Sequence, residues 1–260
     1  MNLELRGKTA LVTGGSRGIG YAIALVLASE GCDLHLAARG WDDLEGVGRA
    51  IEQEHGVVVT THSADLSDSA TVSELAQAVG VVDILVNNAG AIPGGRIDQI
   101  DDASWKRAWD LKVFGTIGLC REMLVGMQER RSGVIVNVIG LAGERPDANY
   151  LAGSGANAAL MAMTRALGAA SVEYGVRVVG VNPGLVATDR MVKLLRVKAA
   201  SALSDPDRWA ELVHGYPFGR PAHAREIADM VCFLASARAA YVSGTIVTVD
   251  GGASARGTSF

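Results

Sequence analysis

Thr9-Ala10-Leu11-Val12-Thr13-Gly14-Gly15-Ser16-Arg17-Gly18-Ile19-Gly20 runs a short apolar strand straight into a glycine-rich turn, and the pattern from Gly18 to Glu30 predicts an apolar-faced helix. Glycine accepts backbone angles that other residues resist, and it lets another group come close to the main chain. The first turn of a helix offers unpaired N–H groups and the positive end of its dipole. Strand, glycine turn and helix together make a cradle for a phosphate or pyrophosphate. A glycine triplet alone would suit any tight turn. Its place at the first strand–helix junction is what favours binding.

The rest of the chain repeats the alternation. Strands are predicted at Leu34 to Ala38, Val57 to Ser63, Val82 to Asn87, Gly133 to Val138, Val176 to Val181 and Thr245 to Val249. Helices are predicted at Trp41 to Glu54, from a capping Asp102 to about Gln128, and from about Asn149 to Tyr174. A short helix separates the third and fourth strands. The strands are apolar throughout rather than alternating, as burial on both faces requires. This predicts one α/β domain over residues 1–260, a doubly wound Rossmann-type parallel sheet of about seven strands. Ligands in such sheets sit where loops leave the carboxyl ends of the strands. The longest irregular stretch predicted is Pro183 to Gly219.

Composition bounds the partners. The 260 residues are 49% hydrophobic and 20% charged, enough for a large core and too apolar for disorder. A net charge of −4 without a long basic run argues against nucleic acid. Cys32, Cys120 and Cys232 lie far apart, with no CxxC or metal-type spacing, so no metal site is expected. The three cysteines suit a reducing, cytoplasmic setting. Met1 to Arg6 is too polar for a signal peptide, and no apolar run reaches the ~18 residues of a membrane span.

The ordered motifs resemble the short-chain dehydrogenase/reductase family over nearly the whole chain. The glycine segment resembles its TGxxxGxG, and Asn87-Asn88-Ala89-Gly90 its NNAG after the fourth strand. Asp65-Leu66 resembles the dipeptide beside adenine. Asn182-Pro183-Gly184 with Thr188 resembles the segment near the nicotinamide, and Asp250-Gly251-Gly252 the ending after the last strand. The resemblance implies dinucleotide binding by Gly14, Ser16, Arg17, Gly18, Ile19, Gly20, Asp65, Leu66, Asn88, Ala89, Gly90, Pro183, Gly184 and Thr188.

Side-chain chemistry then selects the cofactor. An NAD site places Asp or Glu at the end of the second strand, on the ribose 2′-hydroxyl. Here that position is Ala38, and Arg39 follows. Arg17 adds a second guanidinium in the glycine turn. Two such groups suit a 2′-phosphate through forked, charge-assisted hydrogen bonds, so NADP(H) is expected. The bland alternative is a pair of solvated surface charges.

The same resemblance makes the catalytic positions anomalous. The family works with a Tyr acid/base, a Lys one helical turn on, a Ser and an Asn. In this chain the Ser position falls on Gly140, Tyr on Gly153, Lys on Asn157 and Asn on Lys112. Lys112 is thus placed to restore an ammonium from the opposite helix. Tyr150 precedes Gly153 by three residues and on a helix would share its face, with room left beneath it. Tyr150 and Lys112 are therefore the candidate acid/base pair, since a nearby cation favours phenolate. The alternative has Tyr150 packing at the helix mouth and Lys112 running its stem along apolar surface to water. Ser154, Asn149 and Glu144 are weaker candidates. Ser154 is expected to face away, and Glu144 and Arg145 to be solvated loop charges.

A lid is expected at about 189–218. Met191, Leu194, Leu195, Val197, Leu203, Trp209, Leu212 and Val213 suit short amphipathic helices there and a largely apolar small-molecule substrate. His214 and Tyr216 are placed to reach it. By analogy with the family, the two long helices form the interface of a homodimer or homotetramer. The leading expectation is an NADP(H)-dependent oxidoreductase interconverting carbonyl and alcohol. A cofactor-binding sensor without activity, and a non-redox isomerase or lyase using the polar loop Glu144 to Tyr150, are the alternatives.

Overall fold

A computed structural model describes residues 2–256. The side chains of Arg190, Lys193, Leu194, Val197, Lys198 and Ser201 lie outside that description, and with them two of the lid positions named above.

Seven parallel strands form one sheet. They are β1 (Thr9–Thr13), β2 (Asp33–Ala38), β3 (Val59–Ser63), β4 (Ile84–Asn87), β5 (Gly133–Val138), β6 (Val176–Pro183) and β9 (Ile246–Val249). Their spatial order is β3-β2-β1-β4-β5-β6-β9. The order reverses between β1 and β4, which opens the crevice where such sheets take their ligands. Helices α1 (Gly18–Ser29), α2 (Trp41–His55) and α8 (Ala224–Ala235) pack on one face; α3 (Ser69–Val79), α5 (Gly115–Arg130) and α6 (Leu151–Ser171) pack on the other. The two-residue pleat explains this division: Ala10 and Val12 of β1 enter the first core, and Leu11 between them enters the second. Leu11, Ile23, Leu27, Leu34, Leu36 and Leu85 are fully buried, and each stabilises the fold by about 1.5–3 kcal/mol.

Turn chemistry sets the boundaries. Helix α2 stops at Gly56, whose φ of 68° is left-handed. Asp68 caps α3 by accepting from the Ala70 amide. The helix expected from Asp102 starts as α4 (Asp102–Trp109), but its cap is Asp101, one residue earlier, which accepts from Ser104 N at 2.7 Å. A π-helical turn, Asp110–Phe114, joins α4 to α5 and carries Lys112. The sequence pattern had suggested an unbroken helix.

Two further expectations need correction. The stretch Pro183 to Gly219 is not irregular. It contains a two-residue strand β7 (Val186–Ala187), helix α7 (Asp189–Leu203) and a 3₁₀ run, Pro206–Val213. Strand β7 pairs in parallel with β8 (Ala222–His223). Helix α8 was not predicted at all, although Ile227, Ala228, Val231, Cys232, Leu234 and Ala235 give it a buried face. Its C-terminus is closed by Arg177 of β6. That guanidinium donates to Leu234 O at 2.8 Å, Val242 O at 3.2 Å and Ser236 O at 3.0 Å. The cation thus meets the negative end of the helix dipole. Among the described residues no helix is long and apolar enough to cross a membrane, and no group of three His, Cys, Asp or Glu side chains is arranged to hold a metal.

Candidate active site

The carboxyl ends of β1 and β4 are tied together by Thr13. Its hydroxyl oxygen accepts from the amides of Asn88 (2.9 Å) and Ala89 (3.0 Å), and donates to Val86 O (3.3 Å). Asn88 returns its amide nitrogen to Thr13 O at 2.9 Å. The two glycine-rich motifs read in the sequence are therefore one structure.

Within the turn the glycines have separate reasons. Gly14 has φ 66°, and a Cβ there would stand 2.9 Å from Asn88 Nδ2. Gly18 has φ 60° and faces the Thr188 methyl at 3.4 Å. Gly20 is buried, and a Cβ would overlap the Gly14 carbonyl, so its role is to let the helix close on the turn. Ser16 and Ile19 are half-buried, and Ile19 packs on the first core. Arg17 is the exposed N-cap of α1. Arg39 is exposed where β2 ends. Neither guanidinium makes an ion pair among the described residues.

Around this turn lie the other expected binding residues. Asp65 is exposed and folds its own loop, accepting from Ser67 N and Oγ. Leu66 is buried, with its carbonyl 2.6 Å from the place of a Cβ on Gly115. Gly90 lies against the stem of Lys112, 3.1 Å from the lysine Cδ to a Cβ position. Pro183 ends β6, and Gly184 donates to Val249 O at 3.0 Å with the Asp250 side chain beside it. Thr188 caps α7, accepting from Met191 N at 3.3 Å, and by its methyl approaches Gly18. Residues from the ends of β1, β4 and β6 thus converge on one edge.

The atypical positions lie at the same edge. Lys112 does not run out to water: its Nζ donates to Ile139 O at 2.6 Å, at the end of β5. The π-helical turn sets where this side chain leaves the helix, a device frequent at functional sites. Gly140 has φ 129°, a region closed to most side chains, and a Cβ there would meet Asn157 Nδ2 at 3.0 Å. Asn157 is 2% exposed, and its Oδ1 is buried without a hydrogen-bond partner. A buried acceptor without a partner costs stability.

Tyr150 corrects one expectation and supports another. It is not in the helix but is its N-cap, with φ −139° and ψ 43°. From there its ring folds over Gly153, where Cε1 and Cζ overlap the position of a Cβ and Cδ1 stands 2.6 Å from it. Ser154 is buried, and its Oγ accepts from Asp147 N at 3.0 Å, so it holds the loop and does not reach the edge. Asn149 is exposed and bonds Asp147. Glu144 and Arg145 are exposed, as expected of loop charges, but each is anchored by hydrogen bonds that the sequence did not suggest. Glu144 Oε2 accepts from Asn182 Nδ2 (3.3 Å) and Thr248 Oγ1 (2.8 Å), and Arg145 donates to Ala253 O (2.8 Å) and Ser254 O (3.3 Å). Composition and spacing gave no signal for these anchors, because their partners are 38 or more residues away. His214 and Tyr216 are exposed.

A doubly wound sheet with a glycine cradle at its switch point defines a dinucleotide-binding oxidoreductase fold. The comparisons carry this further. Residues 8–198 match the family described as short chain dehydrogenase. The chain is 36% identical over 259 residues to the 3-oxoacyl-acyl-carrier-protein reductase of Vibrio harveyi, covering 97% of this chain and 98% of that one. It is 31% identical over 254 residues to an NADPH-dependent reductase of Bacillus subtilis, covering 94% and 97%. The structure of L-sorbose reductase from Gluconobacter frateurii complexed with NADPH and L-sorbose superposes with a TM-score of 0.92 at 31% identity, covering 96% and 98%. The chain belongs to the short-chain dehydrogenase family and is an oxidoreductase of that type.

Proposed function

We propose that the protein is an NADP(H)-dependent oxidoreductase that interconverts a carbonyl and an alcohol, with Tyr150 as the acid/base and Lys112 as the accompanying cation. The observation that carries this reading is the Tyr150 ring lying over Gly153, where the resemblance expects the catalytic tyrosine to be rooted. The phenol enters from the loop before α6 instead of from the helix itself.

The residues fit the cofactor. Gly14 and Gly18, both at positive φ, shape the turn that leads into the α1 N-terminus, where unpaired amides favour an anion. Arg17 and Arg39 are exposed cations with no carboxylate on them among the described residues, which suits a 2′-phosphate. Two relatives named above are NADPH proteins, in line with this choice. Asn157 Oδ1 offers an acceptor to a ribose hydroxyl. Bound NADPH would supply the hydride that reduces the carbonyl carbon. The chain's part is the proton: the Tyr150 hydroxyl gives it to the developing alkoxide, and the Lys112 ammonium stabilises the phenolate left behind. Residues 189–218 act as the lid over an apolar small molecule. The chain works as a homodimer or homotetramer, placed by analogy in the cytoplasm.

The test is a screen of ketone and aldehyde substrates against NADPH, following its oxidation at the native protein and at Tyr150→Phe. Turnover by the native protein that Tyr150→Phe lacks supports the reading. Tight NADPH binding with no turnover of any carbonyl favours a cofactor sensor.

A further inference from the structure

One peptide group stands between Lys112 and a carboxylate on the far side of the strand ends. It is the Ile139–Gly140 peptide. Its carbonyl oxygen accepts from Lys112 Nζ at 2.6 Å, and its N–H donates to Asn182 Oδ1 at 3.3 Å. The Asn182 amide nitrogen donates in turn to Glu144 Oε2 at 3.3 Å. The Thr248 hydroxyl donates to the same carboxylate oxygen at 2.8 Å.

Asn182 is fully buried, so its amide cannot turn to water for either partner. Its oxygen must accept and its nitrogen must donate. A flipped amide would set nitrogen against the Gly140 N–H and oxygen against the carboxylate, two repulsive pairs in place of two bonds. Apart from Glu144, the nitrogen has among the described residues only the Met161 thioether, a weak acceptor at 3.9 Å. Glu144 therefore decides which way Asn182 points. A peptide whose N–H donates is also a better acceptor at its carbonyl, because linked hydrogen bonds polarise one another.

We propose that Glu144 is a positioning residue for Lys112: through Asn182 it fixes and polarises the Ile139–Gly140 peptide whose carbonyl holds the ammonium. The proposal rests on the reading that Lys112 serves the site. It also explains why the exit of β5 is built on glycine. At φ 129° Gly140 turns the peptide so that its N–H meets β6 while its C=O meets the π-helical turn.

Two variants separate position from charge. Glu144→Gln keeps an acceptor oxygen for Asn182 and Thr248 and loses only the charge, whereas Glu144→Ala removes the acceptor. Hydrogen exchange of the Gly140 amide, read in the cofactor-free protein by NMR, reports the relay without any turnover. NADPH affinity by calorimetry reports the placement of Lys112, and recovery in the Gln variant separates a lost acceptor from general disruption. Glu144→Ala is expected to speed Gly140 exchange and to weaken NADPH binding by about fivefold, the equivalent of one neutral hydrogen bond. Glu144→Gln should restore most of both. Thr248→Val, which frees the carboxylate from its other anchor without touching Asn182, should shift both readouts in the same direction by less. It keeps the test alive if Glu144→Ala does not fold. Native Gly140 exchange and native NADPH affinity in Glu144→Ala would overturn the proposal, as would equal losses in Ala and Gln variants. A native protein whose NADPH affinity does not respond to Lys112→Met would instead remove the reading beneath it, whatever the Gly140 exchange shows.

Discussion

The ring of Tyr150 fills the space that a side chain at position 153 would need. The two residues are therefore one unit: Gly153 is small because Tyr150 is there, and Tyr150 can lie there because 153 has no Cβ. A second pair behaves alike. Gly140 leaves the room that the Asn157 amide occupies. Gly140 and Gly153 are thus each packed against a neighbouring side chain, and the space each leaves is filled.

Gly153→Ala tests this coupling. In an open helix the change would stabilise by up to about 1 kcal/mol through helix propensity. Here the methyl collides with the ring, and overpacking costs about 1–3 kcal/mol. A net loss of stability is expected, seen as a lower midpoint in urea. In a Tyr150→Ala background the same change should become neutral or stabilising. Additive effects of the two changes would show that the ring does not sit over Gly153 in solution.

On the proposed reading, Arg17 and Arg39 select the cofactor. The native protein should prefer NADPH to NADH by at least about tenfold, or ~1.4 kcal/mol. Arg39→Ala should weaken NADPH binding and leave NADH binding nearly unchanged. Equal affinities for both cofactors in the native protein would remove the 2′-phosphate from this pair.

The glycines of the turn should divide by cause. Gly18→Val puts a branched side chain at a positive φ in the cradle with only Thr188 near its Cβ, so NADPH binding should be lost while the chain still folds. Gly14→Val also drives its side chain into Asn88 Nδ2 and the Ala89 backbone, so it should loosen the β1–β4 tie along with the cradle. Gly20→Ala should damage the fold first, since its methyl overlaps the Gly14 carbonyl. Calorimetric titration beside thermal unfolding of each variant tells the two apart. Native NADPH affinity in Gly18→Val would place the phosphates elsewhere.

How much of this was legible in the sequence follows from the range of the forces involved. The strands and the glycine turn are written locally, in apolar runs and positive-φ residues, and all seven sheet strands were found to within two residues at each end. Helix α8 escaped although Gly219 and Pro221 precede it: its N-cap is His223, outside the usual Ser, Thr, Asp and Asn, and the buried face from Ile227 to Ala235 was not read as helical. The π-helical turn has no composition of its own. Tyr150 and Lys112 stood out only against an expected pattern. The Glu144, Asn182 and Thr248 contacts join three strand ends, and nothing in a linear reading brings residues 144 and 248 together.

A pH effect on stability is expected from β2 and β3. His35 Nδ1 and His62 Nε2 are 2.9 Å apart, and burial lowers the pKa of both imidazoles, with His35 adding to the shift at His62. A lowered folded-state pKa means that the unfolded chain binds protons near the ordinary histidine value of 6.5 while the folded pair stays neutral. Stability from this pair is thus present above about pH 6.5 and is lost as pH falls through and below it. His62→Gln should flatten the fall in urea-unfolding free energy between about pH 7.5 and 5.5. An unchanged slope would mean that the pair does not stay neutral in the fold.

The last prediction concerns the proton. A positioned acid typically contributes ~10² to 10⁴ in rate, so Tyr150→Phe should cut kcat on that scale. NADPH should still bind, because phenylalanine fills the same space over Gly153 and leaves the cradle untouched. Lys112→Met should lower both kcat and NADPH affinity, since its ammonium lies at the end of β5, with its stem on Gly90 beside the glycine turn. The two losses should not add, because a phenol without its cation and a cation without its phenol are equally unable to pass the proton. If water is the donor and Lys112 only orients it, Tyr150→Phe is nearly silent while Lys112→Met is not. That outcome would keep the protein a reductase and remove Tyr150 from its chemistry. Two silent variants beside an active native protein would place the acid in another part of the site.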